Sequence, residues 1–253
     1  MFGEPFGKDI GRMWELNSGR YSSEAYSDII IRAVAFLYRK GHISKDLSLV
    51  DIGSGPGTFA IPMSGHCSSV LCVDSSPGML ERVSGYGIGN ISVLLSDCLS
   101  MPPGCARDVA FCSLCPPMNC PEGLAAMESV GRRRCIYLSS NNPCPGIEGE
   151  IWSALGEEHS YSGYDTKYPE RYLRSIGREC ERHTFTQTSR SSVPAGELEA
   201  MMLRKIGAYR PLGDREREAV REVVSGHSED GMVYRKNVFR MGMLIWAPVH
   251  RYP

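Results

Sequence analysis

No run of apolar residues in this 253-residue chain is long enough to cross a membrane, since a helical span needs about 18 or more in succession. Near the N-terminus no basic stretch leads into an apolar one, so no secretory signal is read there. From these two absences a soluble, cytoplasmic protein with no membrane partner is expected. An excess of one charge is lacking as well. The 28 Lys and Arg against 29 Asp and Glu leave a net charge of -1, and the pI is near 6.6. That gives no whole-protein reason to expect nucleic acid or another polyanion as partner. The triplet Arg132-Arg133-Arg134 is read as a solvated turn ahead of a strand. No matched pair of C-x-x-C motifs and no metal-spaced histidine pair occur, so no metal site is expected. The ten cysteines are scattered and are expected to stay reduced, since a chain of this size does not need disulfide staples. No repeat or low-complexity tract appears.

What the chain does contain is Leu49-Val50-Asp51-Ile52-Gly53-Ser54-Gly55-Pro56-Gly57. An apolar run enters three glycines at alternate positions, with an acid just ahead of them. This is the pattern of a buried strand ending in a tight turn that a ligand approaches closely. A Cβ there would block the approach or forbid the backbone angles. Val70-Leu71-Cys72-Val73-Asp74 is a second strand ending in a carboxylate. It follows at the spacing of about 20 residues at which a doubly wound sheet places the acid that holds a ribose. A nucleoside-bearing cofactor is implied.

The remaining pattern alternates strands with helices. Helices are read at about 22–40, 58–64, 79–84, 121–130, 195–206 and 214–224. Further strands are read beginning at 91 and at 108–114, 135–138, 181–188 and 239–247. The whole chain, 1–253, is expected as one domain. It comprises an N-terminal helical segment (1–45), a cofactor-binding core (46–140), a substrate cap (141–178), and C-terminal strands with inserted helices (179–253).

The glycine loop reads G-x-G-x-G, whereas a dinucleotide fingerprint reads G-x-G-x-x-G. With Asp51 two residues ahead, it resembles the first motif of the class I S-adenosylmethionine-dependent methyltransferases. Asp74-Ser75-Ser76-Pro77-Gly78-Met79-Leu80 is similar to the second motif, Ile91 to Cys98 to the third, and Asp108 to Leu114 to the fourth. The resemblance implies an α/β fold: a doubly wound, mostly parallel seven-stranded sheet with helices on both faces. The last strand lies antiparallel beside strand five, and helical insertions lie near the substrate side. It implies S-adenosyl-L-methionine as cofactor, with S-adenosyl-L-homocysteine as product. Gly53, Ser54 and Gly55 would pass beneath its methionine part, and Asp51 would lie near the loop backbone or the cofactor ammonium. Asp74 would accept the ribose hydroxyls, with Ser75 beside it. Asp97 and Cys98 would fix the adenine edge, Met79 would pack on the adenine face, and Ser113 closes the fourth motif.

Ligands of open parallel sheets sit outside the carboxyl ends of the strands, which puts Cys115-Pro116-Pro117-Met118-Asn119-Cys120 beside the transferable methyl group. Amino-methylating members of the family often carry Asn or Asp, two prolines and an aromatic here. This chain keeps the prolines but has Cys115 and Met118 at the flanking positions. Trp14 and Tyr21, together with Tyr161 and Tyr164 of the cap, are further candidates to line the substrate pocket. No catalytic base is assigned; His159 and Asp165 are candidates by position alone. The expected function is in-line methyl transfer to a small-molecule acceptor. Alternatives are a protein or RNA methyltransferase, a nucleotide-dependent oxidoreductase, and a non-catalytic S-adenosylmethionine-binding regulator. A homodimer is left open.

Overall fold

The computed structural model describes residues 27–141, 146–157, 165–207 and 210–249. Helix α1 (Ser27–Arg39) buries Ile29, Ile30, Ala33, Val34 and Leu37, a stripe at helical spacing. Strand β1 (Ser48–Ile52) is buried from Leu49 onward, as a central strand covered on both faces must be. There follow α2 (Ala60–Ser64), β2 (Ser69–Asp74), α3 (Pro77–Gly85) and β3 (Ile91–Leu95). A 3-10 turn (Pro103–Cys105), β4 (Arg107–Ser113) and a second 3-10 turn (Pro116–Met118) lead to α4 (Pro121–Val130) and β5 (Gly131–Ser140).

Proline opens α3 and α4 at the position where its missing N–H costs nothing. The Ser76 hydroxyl caps α3 by accepting the Met79 amide at 3.2 Å. Strand β5 starts earlier than the sequence reading, at Gly131, so the arginine triplet lies in the strand. The Arg134 guanidinium donates to the carbonyls of Gly41 and His42 at 3.1 and 3.0 Å, and Arg133 Nε reaches Asp108 Oδ1 at 3.2 Å.

After β5 come α5 (Ile147–Ala154), α6 (Lys167–Ser175), β6 (Glu181–Pro194), α7 (Ala195–Gly207), α8 (Asp214–Gly226), the two-residue β7 (Ser228–Glu229) and β8 (Met232–Trp246). The sheet runs β3-β2-β1-β4-β5-β8-β6, with β7 hydrogen-bonded to β8 outside that path. Pairings among β1 to β5 are parallel, and β8 runs antiparallel to β5 from Cys135↔Trp246 to Ser140↔Met241. The expected mostly parallel sheet and the reversed last strand beside β5 are both present; β7 is the addition that makes the sheet eight-stranded.

The chain groups into two compact units. The first holds Met1–Asn141, Gly163–Thr186 and Arg240–Pro253, and the second holds Asn142–Ser162 and Gln187–Phe239. The expected cap is divided between them: 142–162 belong to the second unit and 163–178 to the first. In the first unit a core of Val50, Ile52, Val73, Cys112, Leu124, Met127 and Tyr137 fills the sheet face under α4. Glu128 of α4 holds this side together, accepting Arg178 Nε and Nη2 at 2.7 and 2.9 Å and Trp246 Nε1 at 3.0 Å. The second unit has its own core, in which Ile151 and Trp152 of α5 pack with Leu198, Met202, Val220 and Val224 of α7 and α8. Among the described residues no helix is long and apolar enough to cross a membrane.

Candidate functional site

Because β1 to β4 are adjacent and parallel, the loops that leave them emerge along one edge of the sheet. At β1 the chain turns through Gly53, Gly55 and Gly57 at φ of +67°, +54° and +83°, angles that any other L-residue adopts at a cost. The amides of Gly53 and Ser54 both donate to the Val73 carbonyl, at 2.8 and 3.1 Å, which presses the loop against β2. Gly55 N–H then donates to Asp74 Oδ2 at 2.8 Å, and Ser76 N–H to Asp74 Oδ1 at 2.9 Å. These two bonds let the Asp74 carboxylate, at the end of β2, anchor the glycine turn that leaves β1.

Beneath the loop, Asp51 is 1% exposed, and among the described residues neither of its oxygens makes a well-formed hydrogen bond, although the Ala60 amide lies close enough to act on it. Burial, and then the charge of Asp74, push its carboxyl well above the usual carboxylate range, against a smaller opposing pull from the Ala60 amide. Among the described residues the buried Ser54 hydroxyl meets only the soft Cys72 thiol. A buried acid with unclaimed oxygens below a glycine turn fits a ligand with a cationic, hydrogen-donating end, such as the amino-acid part of S-adenosylmethionine.

The other loops contribute unequally. Ser75 is exposed, and Ser113 is half-buried at the end of β4. Asp97 is exposed and folds its own loop, its Oδ1 accepting the Leu99 amide at 2.7 Å. Cys98 and Cys115 are half-buried. Pro116 is half-buried in the 3-10 turn.

Two residues are placed differently from the sequence reading. Met79, expected on an adenine face, is 2% exposed, and Met118, expected to line the opening, is 0% exposed. Met79 sits on the buried side of α3, which its Ser76 cap sets against the sheet. Met118 is drawn inward because α4 begins directly on it: a Cβ on Gly123 would lie 2.5 Å from Met118 Cα. Trp14, Tyr21, His159, Tyr161 and Tyr164 lie outside the described residues.

Three features were not read from the sequence. Leu114 holds φ +48° directly after β4 while 38% exposed; a left-handed leucine costs about 1–2 kcal/mol and marks a constrained position. Asn119 Nδ2 donates to the Asp165 carbonyl at 3.1 Å. Asn141 Nδ2 donates to Thr166 Oγ1 at 2.9 Å, and Asn141 Oδ1 accepts the Thr166 amide at 2.9 Å. These bonds pin the start of α6 to the carboxyl ends of β4 and β5. Tyr168 and Tyr172 stack there with ring centroids 6.4 Å apart. The Asp165 carboxylate accepts the Lys167 amide at 2.9 Å. Asn119 and Asp165 carried polar side chains in named loops, but nothing in the sequence showed that they meet.

No protein-family model matches the chain. A 62-residue segment is 34% identical to an uncharacterized protein of Haemophilus influenzae, spanning 24% of this chain and about a fifth (20%) of that protein's length. Solved structures match over far more of the chain. A putative methyltransferase from Bacillus halodurans superimposes with a TM-score of 0.55 at 13% identity, over 86% of this chain and 99% of that one. DhpI, solved in a complex with S-adenosylmethionine, gives 0.53 at 15% identity over 72% of this chain and 94% of that one. Magnesium protoporphyrin IX methyltransferase from Synechocystis, solved with S-adenosylhomocysteine bound, gives 0.50 at 14% identity over 88% and 83%. The strand order, the reversed β8 and these superpositions agree: the chain has the Rossmann-like fold of the class I S-adenosylmethionine-dependent methyltransferases.

Proposed function

We propose that the chain is an S-adenosylmethionine-dependent methyltransferase acting on a small-molecule acceptor. The observation that carries the reading is the Gly55–Asp74 hydrogen bond, which joins a three-glycine turn to the acid ending the neighbouring strand. The fold neighbours with bound cofactor or product support it. A bound S-adenosylmethionine supplies an electrophilic methyl group on a sulfonium centre. The residues of this chain would hold it as follows. The Gly53–Gly55 backbone passes under its amino-acid end, Asp51 accepts from its ammonium, Asp74 accepts the ribose hydroxyls, and the Asp97–Cys98 segment borders the base. The protein's remaining work is to align the acceptor and exclude water. Asn119, Asn141 and Thr166 favour that role by fixing the chain at Asp165 and α6 over the carboxyl ends of β4 and β5.

The test is transfer of a radiolabelled methyl group from S-adenosylmethionine into a small-molecule extract, and into separate protein and RNA fractions. Label in the small-molecule fraction alone is expected. Label confined to protein or RNA would replace the acceptor class. Tight binding without transfer to any fraction would make the chain a cofactor-binding regulator.

A further inference from the structure

In the second unit two strand segments carry charge of one sign. Residues 187–194 of β6 and 232–239 of β8 include Arg190, Arg235 and Lys236 and no Asp or Glu, in a chain whose net charge is -1. β6 and β8 are hydrogen-bonded neighbours. The Ala195 amide donates to the Gly231 carbonyl at 2.9 Å and Asn237 Nδ2 to Ser191 Oγ at 2.8 Å, so the two segments run in opposite directions as a ribbon. Side chains alternate between faces along a strand. Ser191 and Asn237 meet on one face, half-buried. Arg190 and Lys236, each one position away, therefore stand on the other face with Thr188, Ser192, Tyr234 and Val238, all exposed. Among the described residues neither Arg190 nor Lys236 makes an ion pair. Arg235, on the half-buried face, has its Nε buried without an acceptor among them, which adds a third positive charge to the ribbon. The nearest acids along the chain before β8, Glu229 and Asp230, lie in β7 and the turn after it.

We propose that the exposed face of this ribbon binds a single-stranded nucleic acid through its phosphodiester backbone. Phosphate oxygens take hydrogen bonds from Arg, Lys and hydroxyl side chains, and this face offers Arg190 and Lys236 with the hydroxyls of Thr188 and Ser192. Flanking the Ser191–Asn237 bond on opposite strands, Arg190 and Lys236 are diagonal neighbours, about 7–8 Å apart in an antiparallel pair. That separation suits two phosphates of one strand better than a single shared anion. Tyr234, two positions from Lys236 on the same face, is 67% exposed and presents a ring on which an unpaired base stacks. The ring decides for a single strand: the bases of a duplex are already stacked on one another, and an acidic peptide would gain the charges but nothing from the ring. Two cations give weak, salt-dependent binding. On single strands each neutralised phosphate contributes about -0.7 to the slope of log K against log salt, so two contacts give about -1.4.

The experiment titrates the full chain into fluorescein-labelled oligonucleotides and reads anisotropy between about 50 and 200 mM salt. The probes are a mixed-sequence oligoribonucleotide, the oligodeoxyribonucleotide of the same sequence, its duplex, and a polyglutamate peptide. Since no cofactor is added, the result does not depend on the function proposed above. Binding of the single strands with a slope of about -1.4 is expected. Equal affinity for both marks the phosphodiester chain as the ligand, and tighter binding of the ribonucleotide adds a contact to the 2′-hydroxyl. Arg190→Ala and Lys236→Ala should each reduce the slope by about 0.7, while Arg190→Lys and Lys236→Arg should keep it. Tyr234→Ala should weaken binding at least about fivefold without changing the slope. Lys40→Ala, at an exposed cation of the first unit, should bind as wild type. All of these side chains are exposed, so urea midpoints should stay at the wild-type value. No binding of either single strand at the lowest salt, tighter binding of the duplex or of polyglutamate, or an unchanged slope when Arg190→Ala and Lys236→Ala are combined would overturn the proposal.

Discussion

The amide of Gly55 donates to the Asp74 carboxylate at 2.8 Å, so the residue that would recognise a ribose is also the one that fixes the glycine turn. Asp74→Ala removes both functions. One hydrogen bond to a charged group is worth about 1.5–3 kcal/mol. S-adenosylhomocysteine affinity should therefore fall at least about tenfold, and unfolding in urea should show a loss of about 1–2 kcal/mol from the stranded Gly55 and Ser76 amides. Asp74→Asn keeps one carbonyl acceptor and should lose less stability than Asp74→Ala while still losing cofactor affinity.

Gly53 is constrained twice, by its φ of +67° and by Cys115 against its Cα. Gly53→Ala should cost about 2–3 kcal/mol, about one from the left-handed backbone and the rest from overlap. Adding Cys115→Ala should return part of the overlap cost and none of the backbone cost. Denaturation midpoints of the two variants separate the contributions.

Asp51 makes stability pH-dependent with a definite sign. Its carboxyl is held above the ordinary value by burial first and by Asp74 second, so the folded state keeps a proton that the unfolded chain releases. The resulting stability is fully present below the unfolded pKa and declines as pH rises towards the folded one, by at most about 1.4 kcal/mol per pH unit. Asp51→Asn should flatten that decline, so the variant gains on wild type between pH 5 and pH 8. Urea midpoints at the two pH values provide the check. A cationic ligand seated on Asp51 would favour its charged form, so binding should release protons. Calorimetry in buffers of different ionisation enthalpy reads that release directly.

Glu128 takes three hydrogen bonds from Arg178 and Trp246, and the Arg178 and Glu128 side chains are 16% and 15% exposed. Breaking a fully buried pair costs about 3–5 kcal/mol; the residual exposure lowers this to about 2–3 kcal/mol for Glu128→Ala. Arg178→Ala should cost less, because Trp246 keeps its acceptor. A double-mutant cycle should give a coupling above about 1 kcal/mol.

The first two strands were legible because an apolar run buried on both faces ends where only glycine or a cap fits. Leu49–Gly57 and Val70–Asp74 show both signals. The ends of β6 and β8 were not. Beyond Thr188, β6 continues through Ser189-Arg190-Ser191-Ser192, and β8 begins at Met232, ahead of Tyr234-Arg235-Lys236-Asn237, well before the apolar stretch read at 239–247. These polar residues are strand only through their pairing, which sequence does not display. In the candidate site, the place of Asp74 at the end of β2, against the glycine turn, could be read from spacing. The burial of Met79 and Met118 could not, because an apolar side chain looks the same whether it lines an opening or fills a core. Nor could the contact of Cys115 with Gly53, which joins two loops 62 positions apart.

The most direct measurement is a calorimetric titration of the reduced full chain with S-adenosylhomocysteine and, separately, with NAD. Saturable micromolar binding of S-adenosylhomocysteine, no binding of NAD, and loss of the signal in Asp74→Ala is the result expected. Binding of NAD alone, or S-adenosylhomocysteine binding unaffected by Asp74→Ala, would contradict the assignment of this loop and acid as the cofactor site.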